Sequence, residues 1–220
     1  MIVMEIPLKL LFQRKYNNRD KLKGVKRAVL VSNHTTFIDP VNISGIILPP
    51  RTWHTLLEAT VEFPFLGTFI RLLGGVPIPR GRMSIKTLVD SADMLFKHRK
   101  FIHFYPEGEC YVYNQEIREF KPGAFYLAAS LGIPVYPIVT VIHKKTWPFF
   151  KSFPRETFVI LDPLYPKDYI KHDEDGAINA DSVRSFGEAV RNAMQAEIDR
   201  RGGIMDYYRG AMPRLKGIND

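Results

Sequence analysis

His34 and Asp39, five residues apart in Ser32-Asn33-His34-Thr35-Thr36-Phe37-Ile38-Asp39-Pro40, are side chains whose types could do chemistry together. On one continuous helix that spacing separates them by about 140° around the axis, so a helix would not pair them. A turn would. With His34 on a polar loop and Asp39 opening the next helix, the carboxylate can fold back onto the imidazole. Such a pair makes a general base, because the carboxylate fixes the tautomer and stabilises the imidazolium that forms. The plainer reading is that Asp39 caps the helix and His34 is a hydrogen-bonded turn residue.

Three further turns hold polar residues. In Gly74-Gly-Val-Pro-Ile-Pro-Arg-Gly-Arg82, glycines allow close backbone approach and Arg80 or Arg82 could grip a phosphate with a forked guanidinium. In Phe104-Tyr-Pro-Glu-Gly-Glu109, Pro106 and Gly108 build a tight turn that presents Glu107. In Phe120-Lys-Pro-Gly123 a helix opens, where free N–H groups and Lys121 could meet an anion. Each of these is ordinary taken singly.

Several chemistries are disfavoured. There is no G-x-S-x-G elbow, no G-x-G-x-x-G and no G-x-x-x-x-G-K-[ST]. His98, His103 and His143 lack metal-ligand spacing, and one cysteine, Cys110, can form neither a zinc ribbon nor an internal disulfide. As a nucleophile Cys110 is a poor candidate, because neighbouring carboxylates raise a thiol pKa.

These turns need elements to position them. Arg27 to Ser32 reads as a short buried strand, and Asp39-Pro40 as a helix start, with the helix ending before Pro49-Pro50. Thr52–Leu57 is a strand and Pro64–Leu73 an apolar helix stopped by Gly74-Gly75. Val76 to Pro79 is too proline-rich for a central strand and reads as irregular extended chain. Residues 84–97 have a helical period, Lys100 to Tyr105 reads as a strand, and Gly123 to Leu131 as a small-residue helix. Ile133–Ile142 and Thr157–Leu161 are strands, and Val183, Phe186, Val190, Met194 and Ile198 mark a last amphipathic helix. The alternation predicts an α/β fold with a mixed, largely parallel central sheet flanked by helices. We expect a domain over 27–202, a basic and apolar segment over 1–26, and a loosely attached tail over 203–220.

Two hundred and twenty residues, 45% hydrophobic and 25% charged, suit one folded domain. Residues 1–27 hold eight basic side chains against Glu5 and Asp20, which is six of the net +8. A localised positive end points to an anionic surface, phospholipid or nucleic acid, or else to a solvated terminus. Met1 to Phe12 is too short and too interrupted to span a bilayer, which takes roughly 20 apolar residues. Followed by basic residues, it has the pattern of an interfacial anchor, or of an edge element packed on the domain.

In their order, the four turns resemble the sequence blocks of the glycerophospholipid acyltransferases, particularly the 1-acylglycerol-3-phosphate acyltransferases. The family's N-H-x-x-x-x-D is matched by Asn33, His34 and Asp39, and its glycine-led stretch ending in arginine by Gly74 to Arg80. F-P-E-G is matched by Tyr105-Pro-Glu-Gly108, with F-K-x-G at Phe120 to Gly123, and the final V-P-I-V-P-V strand by Ile133 to Val139. Glu109-Cys110-Tyr111 replaces the family's usual T-R continuation, which puts the acceptor in question more than the reaction type. The resemblance covers roughly residues 27–161.

That resemblance implies a glycerolphosphate-acyltransferase-like fold and acyl transfer from a thioester, acyl-CoA or acyl carrier protein, to a glycerol hydroxyl. His34 and Asp39 would be catalytic; Arg80, Glu107, Gly108 and Lys121 would bind substrate. No bound cofactor or metal is expected. Partners would be a lysophospholipid, an anionic membrane surface at the cytoplasmic side of the cell membrane, and acyl carrier protein if that is the donor. The competing readings are an inactive lipid-binding homologue, an acyltransferase for another acceptor, and a basic nucleic-acid-binding module. The last is weakened because the positive charge fades after residue 27.

Overall fold

The structure is a computed structural model that describes residues 12–47, 51–57, 74–78, 82–146 and 152–212. Seven strands form one sheet: β1 (Lys15–Asn17), β2 (Ala28–Ser32), β3 (Thr52–Leu57), β4 (Gly75–Ile78), β5 (Phe101–Phe104), β6 (Val135–His143) and β7 (Arg155–Ile160). Their order across the sheet is β1-β7-β6-β2-β5-β3-β4. Every neighbouring pair is parallel except β6 with β7. Among the described residues four α-helices pack with them: α1 (Asp39–Ile47), α2 (Arg82–His98) and α3 (Gly123–Leu131) between strands, and α4 (Ala180–Arg200) after the last strand. The expected α/β fold with a mixed, largely parallel sheet is what forms.

Residues of β2 and β5 are apolar on both sides because both sheet faces are covered. Val29, Val31, Ile102 and Phe104 face a layer built from α2, α3 and α4, through Leu88, Ala92, Phe125, Leu127, Phe186 and Val190. Ala28, Leu30 and Phe101 face the opposite way, onto Ile43, Ile46 and Ile47 of α1. The central strands are thereby held rigidly in depth, and the loops at their carboxyl ends leave from a fixed platform.

Three segments differ from expectation. Gly75–Ile78 is a strand despite Pro77, and it is the edge strand, where a missing N–H costs no ladder bond on the outer side. Lys15–Asn17 is also an edge strand, paired parallel with Thr157–Val159, so residues 12–26 are built into the domain. The described part of the tail is bound as well. Ile204 N–H donates to Ile142 O at 3.0 Å, Val112 N–H to Gly210 O at 2.9 Å and Met212 N–H to Cys110 O at 2.9 Å. The expected helix over Pro64–Leu73 lies outside the described residues, as do Arg80 and residues 1–11.

Arg14, counted in sequence as part of the basic end, lies in the core. Its Nε donates to Glu156 Oε2 at 2.9 Å, and its guanidinium sits over the rings of Phe12 and Phe158 at 5.0 and 5.9 Å. Both side chains are all but inaccessible to water. Burial pushes the Glu156 carboxyl up to about 7, against the pull of Arg14. Removing one partner strands the other charge, so Glu156→Ala is expected to cost about 3–5 kcal/mol in urea unfolding. The double replacement Arg14→Met/Glu156→Leu should recover most of that loss. A single-variant cost below about 1 kcal/mol would show that the pair is immaterial to stability.

Candidate active site

β2 lies between β5 and β6, and the chain leaves it toward one side and returns to the other. In open α/β sheets ligands bind outside the carboxyl ends of strands at such a switch point. The two loops there are Asn33–Ile38 after β2 and Tyr105–Lys121 after β5.

Asn33 fixes the first loop. Its Nδ2 donates to Thr140 O at 3.0 Å and its Oδ1 accepts from Thr140 N–H at 2.8 Å, so β6 grips the loop through a paired amide. His34 then projects with its Nδ1 2.9 Å from Asp39 Oδ2. A carboxylate oxygen can only accept, so Nδ1 carries the proton and Nε2 holds the lone pair. Nε2 has no hydrogen-bond partner among the described residues. The side chain is 20% exposed, enough to meet a substrate.

Asp39 is not a helix N-cap. Its carboxylate turns back over the preceding loop, where Oδ2 accepts from the N–H groups of Thr35 at 2.6 Å and Thr36 at 2.8 Å. Its Oδ1 accepts from the Thr36 hydroxyl at 2.5 Å and from that of Thr35 at 3.4 Å. The buried carboxylate thus shapes the turn and holds the imidazole with the same atoms. Histidine and aspartate five apart pair because the chain between them is a turn tied to that carboxylate.

The second loop locks onto the first. Buried Glu107 accepts from the His34 N–H at 3.0 Å and from the Arg118 N–H at 3.4 Å, one to each oxygen. Burial raises its carboxyl pKa, and the two N–H groups oppose the shift. Its geometry is that of a clamp between loops. Gly108 has φ +75°, and a Cβ there would stand 2.5 Å from Lys121 Nζ, so the lysine stem lies across the glycine. Gly108 N–H is committed to Tyr105 O at 3.0 Å, and Lys121 N–H to Pro106 O at 2.8 Å. The structure therefore brings His34, Asp39, Glu107, Gly108 and Lys121 to one end of the sheet.

Glu109 pairs with Arg118 at 3.2 Å, and the Arg118 guanidinium lies 4.1 Å from the Tyr111 ring centroid. Burial, then Asp39 and Glu107, push the Cys110 thiol far up, so it stays protonated and unreactive. Among the described residues no three His, Cys, Asp or Glu side chains are grouped as a metal would need.

Sequence reasoning missed the layer beneath His34. The Tyr105 ring stacks on the imidazole, centroids 4.0 Å apart and planes 19° apart. His103 meets Tyr105 edge-on at 4.5 Å, bonds Ser32 Oγ through Nε2 at 2.8 Å, and faces His54 Nδ1 through Nδ1 at 3.3 Å. His54 Nε2 reaches Ser44 Oγ at 2.8 Å. Only the parallel register His54↔His103 brings these residues together, a signal that appears once strand pairing is known.

Burial drives the His54 pKa down to about 3 and that of His103 well below the usual imidazole value. Both are neutral in the native state, whereas the unfolded chain takes up their protons near pH 6.5. Below that value the unfolded state binds more of these two protons, so the stability the two histidines contribute falls as pH drops from about 6.5 toward 3. Glu156, raised to about 7, opposes that fall in the upper part of the window. Each histidine contributes a slope of up to about 1.4 kcal/mol per pH unit. Urea unfolding at pH 7, 6 and 5 should show His54→Asn gaining stability relative to wild type as the pH falls. An unchanged slope in that variant would remove His54 from the account.

The fold and the paired turns define a class: a largely parallel α/β domain with a hydrogen-bonded histidine–carboxylate pair at the sheet's carboxyl end. A family profile described as Acyltransferase matches residues 13–141, and the chain belongs to that family. It is 29% identical to the 1-acyl-sn-glycerol-3-phosphate acyltransferase of Saccharomyces cerevisiae over 77% of this chain, spanning 54% of that protein. It is 26% identical to the enzyme of the same name from Haemophilus influenzae, over 80% of this chain and 70% of that one. The crystal structure of the 1-acyl-sn-glycerophosphate acyltransferase PlsC from Thermotoga maritima shares the fold, with TM-score 0.58 and 17% identity. It covers 85% of this chain and 71% of that one. The chain thus spans about half the length of the yeast relative.

Proposed function

We propose that the protein transfers a fatty acyl group from an acyl thioester, CoA- or carrier-protein-linked, to the free hydroxyl of 1-acylglycerol-3-phosphate. The observation that carries this reading is the His34 imidazole, hydrogen-bonded to Asp39 through Nδ1 and open at Nε2. An alcohol is a poor nucleophile at neutral pH. Nε2 takes the hydroxyl proton as the oxygen attacks the thioester carbonyl, and Asp39 steadies the imidazolium. The tetrahedral intermediate collapses by expelling the thiolate, which recovers the proton from His34. No acyl-enzyme is formed, in keeping with the inert Cys110 thiol.

Oxyanion donors are backbone N–H groups of the loop after β5 or of the Gly74-Gly75 turn, with Gly108 N–H already engaged. Lys121, exposed and lying across Gly108, holds the acceptor phosphate together with Arg80. The family relationship supports the reaction, and the names of the relatives support the acceptor. Within this proposal the protein works peripherally at a bilayer, on its cytoplasmic side. No described helix is long and apolar enough to cross a membrane, and Phe37, between His34 and Asp39, is 57% exposed.

A second acceptor is favoured by one observation. Glu109, where the family usually has threonine, neutralises Arg118 at the edge of the same loop. The test is transfer of labelled acyl groups from the thioester to 1-acylglycerol-3-phosphate, run beside lysophospholipids with other head groups. Acylation of the phosphate monoester alone is the expected result. Acylation of another lysophospholipid in its place would move the acceptor and keep the reaction. Transfer to none, with lipid still bound, would leave a lipid-binding homologue.

A further inference from the structure

Behind His34 stands a column of rings and hydroxyls, buried except for the half-buried Tyr105, that the proposed reaction does not use. It runs Tyr105, His103, His54, Ser44, with Ser32 joined at His103. His103 has no exposed surface and His54 is 3% exposed. Apart from Ser44, on α1, they come from three adjacent parallel strands and the residue after one of them: Ser32 ends β2, His103 is on β5 with Tyr105 just after it, and His54 is on β3. A core this apolar could be packed with aliphatic residues at lower desolvation cost, so five polar side chains in one network of contacts need a reason.

The reason is geometric. Asp39 fixes one atom of the His34 ring, Nδ1, but a single hydrogen bond leaves the ring free to swing about that axis. The plane is set by what lies against its face, and that is Tyr105 at 4.0 Å. Tyr105 could itself tilt, but His103 abuts its ring edge-on. His103 cannot turn either, because both of its nitrogens are bonded, one to Ser32 and one to His54. Ser32 is two residues before His34, so His103 also pins the strand end from which the base emerges. A neutral column suits this place: a charged His103 would sit beside the imidazolium that forms at His34, and the two interact unfavourably.

We propose that Tyr105 and His103 are positioning residues for His34, Tyr105 as the plate that sets the plane of the imidazole and His103 as the group that fixes both plate and strand end. The inference rests on His34 being the base proposed above, and it predicts effects on turnover more than on binding. Loss of the plate lets Nε2 wander from the hydroxyl, and misplacement of about 1 Å can cost on the order of 100-fold in rate.

The experiment uses the full chain with Tyr105→Leu, Tyr105→Phe and His103→Asn, read by acyl-transfer kinetics and by ¹⁵N NMR of the His34 ring. Tyr105→Leu is expected to lower kcat about 30- to 100-fold with KM within about 3-fold, while Tyr105→Phe, which keeps the ring, stays within about 3-fold of wild type. In the NMR, all of them should keep the Nδ1-protonated tautomer that Asp39 fixes, while wild type and Tyr105→Phe show a rigid His34 ring and Tyr105→Leu a ring signal averaged by motion. A leucine variant with wild-type kcat, or a phenylalanine variant as impaired as leucine, would overturn the proposal. If Tyr105→Leu does not fold, His103→Asn is read in its place, with the same fall in kcat and the same averaging expected. Wild-type protein that transfers acyl groups to no acceptor would defeat the base assignment alone. The NMR comparison then decides the plate: averaging in leucine but not phenylalanine supports it, and identical spectra refute it.

Discussion

His34→Ala should lower the kcat of acyl transfer by at least about 10³-fold while leaving the folded protein intact. General-base assistance to an attacking hydroxyl is worth roughly 10²–10⁴, and among the described residues nothing near His34 replaces it. Glu107 is buried and holds two backbone N–H groups, and the Cys110 thiol is pushed far up. Structure should survive because the loop's shape depends on the Asp39 bonds to Thr35 and Thr36, and these do not involve the imidazole. The Glu107 clamp takes the His34 main-chain N–H, which alanine retains. Far-ultraviolet circular dichroism and the thermal midpoint check the fold, and single-turnover transfer checks the chemistry. Turnover within about tenfold of wild type would mean that another group takes the proton.

What the sequence made legible follows from the range of the interactions. β2 is apolar up to Ser32 and β5 apolar except at His103, and α3 is a small-residue helix bounded by Pro122 and by Gly132, which sits at φ 62°. Those signals are local, so the fold class and the carboxyl-end placement of the two loops could be read directly. His34 and Asp39 were legible as a pair by type, but the turn that joins them needed Thr35 and Thr36 as donors.

Long-range pairing was not legible. β1 is three residues, Lys-Tyr-Asn, with no alternation to detect, and its neighbour on the sheet lies 142 positions along the chain. The same distance hid Arg14: a lone arginine in a basic stretch reads as surface until Glu156 is found beside it. β4 carries Pro77, which argues against a central strand and is silent about an edge one. The tail over 203–220 reads as loosely attached, yet its described part is not loose. It is held by main-chain bonds to 110–112 and to Ile142, which any sequence could make. The ring column under His34 belongs with these, since His54, His103 and Tyr105 meet only through strand register.

Asp39→Asn separates the two duties of that carboxylate. An asparagine can keep its carbonyl oxygen at the position of Oδ2, accepting from His34 Nδ1 and from the N–H groups of Thr35 and Thr36. Its amide then faces the Thr35 and Thr36 hydroxyls, which can rotate to accept. The turn is therefore expected to survive with a loss of about 2 kcal/mol, since the hydrogen bonds cease to be charge-assisted. The reaction should suffer far more. The imidazolium that forms at His34 loses its counter-charge, and an amide in the flipped orientation would impose the wrong tautomer, so kcat should fall about 10²–10⁴-fold. Because the two residues act as a unit, His34→Ala/Asp39→Asn should be no slower than His34→Ala alone. Single-turnover rates of the four proteins complete that cycle. Losses that multiply in the double variant would mean that Asp39 serves catalysis by a route that does not pass through the imidazole.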